Sequence, residues 1–116
     1  MTGTVGGSLS VECRYRKEFI NNSKYWCKFP CVLLWKIMET TESVREVRRG
    51  RTSIRDRPEN LTFTVTLESL REEDAGKYQC GIDVRFSFDP TFDVEVSVTP
   101  GEPCTPTSPC SSSKVT

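Results

Sequence analysis

The chain contains no histidine, and its lysines and arginines balance its aspartates and glutamates at 16 each, so the formal net charge is zero. Without histidine the commonest general base, the usual partner of a nucleophilic serine or cysteine, and the commonest metal ligand are all missing. Neutrality argues against nucleic acid as a partner, because phosphate binding needs a net basic field or a large basic face. No apolar run approaches the ~20 residues of a membrane span. The opening Met1-Thr2-Gly3-Thr4-Val5-Gly6-Gly7 has neither the basic start nor the apolar stretch of an export signal. Helix-period stretches of useful length are absent as well. No pair of acids stands at a spacing that suggests carboxylate catalysis. Enzyme is therefore the weakest functional reading, and no cofactor or metal is expected.

Cysteine, by contrast, is plentiful: six in 116 residues. An even count at this density reads as a disulfide framework, which persists outside the reducing cytosol, so the expected compartment is extracellular. A disulfide-rich chain with no export signal is expected to be a piece of a longer one, with Met1 a cloning start. The length suits one domain with one core.

Short alternating runs separated by turn signals dominate. Leu9, Val11, Cys13 and Tyr15 define one apolar face, and Leu61, Phe63, Val65 and Leu67 a second. Tyr78, Cys80 and Ile82 define a third, and Phe92, Val94, Val96 and Val98 a fourth. Period-two alternation with β-branched and aromatic residues predicts half-buried strands, and shorter runs fall near 24–28, 32–40 and 51–56. Strands at this density with no intervening helices predict an all-β sandwich of two antiparallel sheets. From Thr99 onward Pro100, Gly101, Pro103, Pro106 and Pro109 sit among Ser and Thr. That composition cannot bury enough surface to fold, so residues 1–98 are read as the domain and 99–116 as a stalk.

Cys13 and Cys80 lie on two inward faces, 67 positions apart, with Trp26 between them. This Cys…Trp…Cys order is the core of an immunoglobulin sandwich, in which a disulfide joins strands B and F and a strand-C indole packs on it. Closing so long a loop contributes roughly 4 kcal/mol in the chain-entropy picture. Tyr78, two residues before Cys80, is placed for a tyrosine corner. Asp74 is placed to meet Arg51 at the start of strand D. Residues 36–49 leave room for strands C′ and C″, which favours the V-type over the constant-type sandwich.

Lys24-Tyr25-Trp26-Cys27 and Cys31, taken with Gly6-Gly7-Ser8-Leu9-Ser10-Val11, Ser53-Ile54-Arg55-Asp56 and Tyr78-Gln79-Cys80-Gly81, carry a resemblance over about residues 3–98. The chain resembles the leukocyte mono-Ig-like (CMRF-like) receptors of myeloid cells and, more distantly, the V domains of the polymeric immunoglobulin receptor. The resemblance implies a second disulfide, for which Cys27 and Cys31 are the counterparts, although family members usually space that pair more widely and Trp35 stands near the expected position. Gln79 replaces the usual Trp between Tyr and Cys. The resemblance further implies the extracellular part of a plasma-membrane receptor, a signalling adaptor in the intact receptor, and ligands that include polar lipids. As a fragment it is expected to be monomeric. Cys104 and Cys110 in the stalk would pair with each other or bridge two receptors.

In a V domain the BC, C′C″ and FG loops gather at one end. Here BC carries Phe19 and Ile20, and FG carries Phe86, Phe88 and Asp89. Apolar side chains rimmed by charge would insert among lipid headgroups or fill a partner's pocket, and Phe29 joins them as a candidate ligand contact. Asp89 and Asp93 would then contribute to a calcium or headgroup-amine site. The competing expectation folds Phe86 and Phe88 back onto the sandwich. Arg45, Arg48, Arg49, Arg51, Arg55 and Arg57 crowd one edge, where they would read an anionic surface or, more simply, keep the edge from pairing with other strands. Asn21 and Asn60 fit the glycan-acceptor pattern. Two functions follow: recognition of a polar lipid through the loop tip, or of a cell-surface protein through the G-F-C face around Tyr25, Trp35 and Gln79.

Overall fold

A computed structural model describes residues 1–29 and 36–100, with the backbone alone at 36 and 37. Among the described residues nine strands run in order: β1 (Thr2–Thr4), β2 (Leu9–Arg14), β3 (Lys24–Lys28), β4 (Lys36–Glu39), β5 (Glu46–Arg49), β6 (Thr52–Arg57), β7 (Thr62–Leu67), β8 (Gly76–Ile82) and β9 (Thr91–Thr99). They form two sheets, β1-β9-β8-β3-β4 and β2-β7-β6-β5. All pairings are antiparallel except β1 with β9, which run parallel. Strands β2, β3, β8 and β9 therefore stand where B, C, F and G of a V-type sandwich stand.

Alternation explains the core directly. Leu9, Val11 and Cys13 on β2 pair in register with Leu67, Val65 and Phe63 on β7, and all six are buried. Burying such side chains stabilises by roughly 1.5–3 kcal/mol each relative to exposure, which is what holds the two sheets together. Cys13 and Cys80 are disulfide-bonded across the sheets. Trp26, opposite Cys80 in register, is fully buried and stacks on Tyr78 with ring centroids 4.8 Å apart. The Tyr78 hydroxyl donates to the Asp74 carbonyl at 2.7 Å, and Arg51 grips the Asp74 carboxylate at 2.7 and 3.1 Å. That guanidinium holds the Asp74 carboxyl below its ordinary pKa.

The pairing of β5 is now fixed, and one expectation, the inward face of β9, needs correction. Strand β5 pairs with β6, so the candidate C″ strand joins the β2-β7-β6 sheet and only β4 extends the sheet of β3, β8 and β9. The cause is local, because Gly50 at positive φ lets β5 turn straight into β6 as a hairpin. On β9, Val96 is buried but Phe92 is 52 % exposed. Phe92 lies opposite Cys80 in register, on the inward side, yet it lines an open groove between the sheets instead of filling the core.

Candidate functional site at the loop end of the sandwich

Strand directions bring four connections to one end of the molecule. They are the segment from Tyr15 to Ser23 after β2, the segment from Thr40 to Arg45 after β4, the 3-10 turn Pro58–Asn60 after β6, and the segment from Asp83 to Pro90 after β8. By position these are the BC, C′C″, DE and FG loops.

Phe86 and Phe88 stand at the FG apex with relative exposures of 104 % and 97 %. The expectation that they fold back onto the sandwich is overturned. Phe86 also has a φ of 60°, a left-handed conformation that costs a bulky residue of order 1–2 kcal/mol. An exposed aromatic held in an unfavourable backbone region contributes nothing to stability. In the C′C″ loop Val44 is likewise exposed, a tip residue that sequence patterning missed because a lone apolar residue among Thr, Glu and Ser gives no periodic signal.

Phe19 and Ile20 are partly buried and pack against the core, with Phe19 closing the 3-10 turn Lys17–Phe19. Beside them runs a groove of about 580 Å³ whose apolar floor includes Tyr15, Phe19, Ile82, Pro90 and Phe92 and whose charged lining includes Arg14, Arg16 and Glu18. Phe19 therefore presents its ring to a groove, whereas Phe86 and Phe88 present theirs to open solvent.

Other candidates lie elsewhere or are already engaged. Phe29 follows the far end of β3, where its amide donates to the Lys77 carbonyl at 2.8 Å and Lys77 Nζ sits 4.7 Å over its ring. Lys77 is at the start of β8, whereas the FG loop follows its end, so Phe29 is not part of the tip. Asp89 uses Oδ2 to accept the Tyr25 hydroxyl at 2.8 Å and Oδ1 to accept the Val84 amide at 3.0 Å. Its carboxylate braces the FG loop instead of facing a ligand. Asp93 is bound by Gln79 Nε2 at 2.7 Å and by Lys77 Nζ at 3.4 Å, and these contacts hold its carboxyl below the ordinary pKa. Among the described residues no group of three His, Cys, Asp or Glu is placed to hold a metal.

The arginine edge is largely self-neutralised. Arg45 pairs with Asp56 at 3.0 Å, Arg48 with Glu68, Arg51 with Asp74 and Arg55 with Glu46 at 3.5 Å. Asn21 is exposed in the BC loop and Asn60 in the DE turn, and both are open to solvent. Cys27 is buried and disulfide-bonded. Cys31, Cys104, Cys110 and Trp35 lie outside the described residues.

Sequence reading missed the charged cluster beneath the BC loop. Lys24 is fully buried, and its ammonium donates to Asp56 Oδ2 at 2.8 Å, to the Ile20 carbonyl at 3.1 Å and to the Asn22 carbonyl at 2.7 Å. It also lies 4.2 Å over the Tyr15 ring. Arg45 donates to the Ile20 carbonyl and to Asp56, both at 3.0 Å, and the Tyr15 hydroxyl donates to Asp56 Oδ1 at 2.6 Å. Burial pushes the Lys24 pKa down against the pull of Asp56, and burial beside Asp56 pushes the Tyr15 phenol up. A signal existed: Lys24 shares the strand phase of Trp26, and Asp56 that of Ile54, so opposite charges fall on facing inward sides.

Comparison with known proteins agrees with this geometry. The immunoglobulin V-set domain model matches residues 1–99, and the chain belongs to that family, whose domains are binding modules and not enzymes. More particularly, it is similar to mouse CMRF35-like molecule 6, 50 % identical over 109 residues that cover 89 % of this chain and 48 % of that protein. It is also similar to human protein CD300H, 47 % identical over 105 residues covering 83 % and 52 %. The chain thus spans about half the length of these relatives. Among solved structures, the teleost fish polymeric Ig receptor ectodomain superposes with a TM-score of 0.73 at 27 % identity, covering 87 % of this chain and 45 % of that one. The natural cytotoxicity receptor NKp44 of NK cells superposes with a TM-score of 0.72 at 28 % identity, covering 85 % and 95 %.

Proposed function

We propose that this domain is the ligand-binding ectodomain of a myeloid immune-regulatory receptor and that it recognises polar lipids through its loop end. The observation that carries this reading is the complete exposure of Phe86 and Phe88 at the FG apex. Two aromatic side chains on one loop apex, both fully exposed, are suited to the acyl boundary of a membrane, where each would bury apolar area at roughly 25 cal/mol per Å². The groove beside Phe19 adds an apolar cleft with Arg14 and Arg16 along it, cations of the kind that would meet a headgroup phosphate. The counter-receptor alternative draws less support from the sheet face: Tyr25 is buried and bonded to Asp89, and Gln79 is tied to Asp93. Glycans on Asn21 and Asn60 would border the same end. A signalling adaptor would act through parts of the receptor beyond this domain.

Liposome co-sedimentation with varied headgroups, with and without calcium, tests the reading. Headgroup-selective binding by the wild type that is lost in Phe86→Ala/Phe88→Ala is the expected result. No binding to any composition by folded protein would sink the lipid reading and leave the protein counter-receptor.

A further inference from the structure

The Lys24 cluster has more donors than its counter-ion needs. Two cations, Lys24 and Arg45, meet one carboxylate, Asp56, which also accepts the Tyr15 hydroxyl. A lysine ammonium has three donors, and here only one goes to the carboxylate. The other two go to backbone carbonyls of the BC loop, Ile20 and Asn22, and Arg45 adds a second donor to Ile20. Stability alone does not account for this arrangement, because a well-packed apolar replacement of a buried ion pair is often neutral or stabilising. What an apolar side chain cannot do is hold two loop carbonyls at fixed points.

We infer that Lys24 is the positioning residue of the recognition end, with Asp56 as its anchor and Arg45 as its link to the C′C″ loop. The Lys24 ammonium fixes the BC loop from below, at the residues that follow Phe19. Arg45 ends the C′C″ loop, and its own carbonyl accepts the Asp56 amide at 2.7 Å. One carboxylate on β6 therefore sets the BC and C′C″ loops relative to each other, so that Phe19 at its groove and Val44 at the tip are held in one spatial relation. The FG loop has a second carboxylate brace of its own, through Asp89 and Tyr25. The recognition end thus rests on two carboxylate anchors, Asp56 for BC with C′C″ and Asp89 for FG, joined where Asn22 Nδ2 donates to the Asp83 carbonyl and the Asp83 amide donates to the Ser23 carbonyl, both at 2.9 Å. For its role in ligand binding this inference rests on the reading of the loop end as the recognition surface.

Hydrogen exchange on the full chain tests the positioning role without any ligand. The amides of Phe19, Ile20 and Asn22 are bonded within the BC loop, and those of Val11 and Val65 report the core. In Arg45→Gln the BC amides should exchange about tenfold faster, as loss of the charge-assisted hydrogen bond to the Ile20 carbonyl implies, with the core amides unchanged. Arg45→Lys, which keeps a donor in reach of Ile20, should restore much of the protection. Lys24→Met should loosen the same amides further, and if that variant fails to fold, the Arg45 pair still decides. Unchanged BC amides in folded Arg45→Gln, or an equal acceleration of BC and core amides, would overturn the inference. Vesicle binding of Arg45→Gln is then compared with wild type: faster dissociation with Phe86 and Phe88 intact supports the link to recognition, and equal dissociation refutes that link. A wild type that binds no vesicle counts against the lipid reading, and the exchange result still decides the role of Lys24.

Discussion

The phenol of Tyr25 ends on Oδ2 of Asp89 at 2.8 Å, across 64 positions of sequence, and the second oxygen of that carboxylate caps the Val84 amide. One side chain on β3 thereby holds both stems of the loop that carries Phe86 and Phe88. Gly81 makes the contact possible, since a Cβ there would lie 2.4 Å from Tyr25 Cζ and 2.5 Å from its hydroxyl oxygen.

Gly81→Ala is therefore expected to push the Tyr25 ring aside and break its bond to Asp89. The cost should be about 1–3 kcal/mol, the usual range for overpacking a filled site. Denaturant unfolding measures the cost, and exchange at the Val84 amide reports the loop. A variant of wild-type stability with a protected Val84 amide would show that the ring can yield without losing its bond to Asp89.

Phe86→Gly should separate stability from recognition. Glycine tolerates the φ of 60° that Phe86 is made to adopt, so the variant should gain up to about 1 kcal/mol by thermal or denaturant unfolding. Vesicle association should fall at the same time. A loss of stability would mean that the ring packs on something in solution, contrary to its exposure.

The pH dependence should carry the mark of Asp74. Arg51 holds this carboxyl below its ordinary pKa in the folded state. Its contribution is therefore complete above the unfolded value near ~3.9 and is lost as pH falls through the depressed folded value. Asp74→Asn should cost on the order of 1 kcal/mol at neutral pH, discounted for partial exposure. The gap to wild type should close under strongly acid conditions. A gap of constant size across the acid limb would assign the effect to packing.

The sandwich was legible in the sequence because burial in sheets follows a period of two. Cys13, Phe63, Val65 and Cys80 announce their faces by alternation, whereas Trp26, on a strand buried at four successive positions, is placed by the Cys…Trp…Cys order that fixes which sandwich it is. The partner of β5 was not legible, since a hairpin through Gly50 and an extension of the other sheet leave the same alternation in residues 46–49. Loop orientation was less legible still. Phe86 and Phe88 look like any other loop phenylalanines in the sequence, and Asp89 looks like a free carboxylate until Tyr25 is seen above it. The Lys24–Asp56 pair was readable in principle, yet a charge at an inward phase is easily passed over when apolar neighbours dominate the pattern.

Strand β9 runs nine residues from the loop end to Thr99, a span of about 30 Å, hydrogen-bonded to β8 on one side and to β1 on the other. If the tip is held by a surface while the chain beyond Thr99 is pulled, tension runs along this strand. Its ladders then lie parallel to the load, so many hydrogen bonds must slide together instead of opening one at a time. The parallel β1–β9 pairing adds to that resistance. A pull between the loop end and Thr99 would thus load β9 in shear along both of its ladders, the geometry in which strand hydrogen bonds give way together.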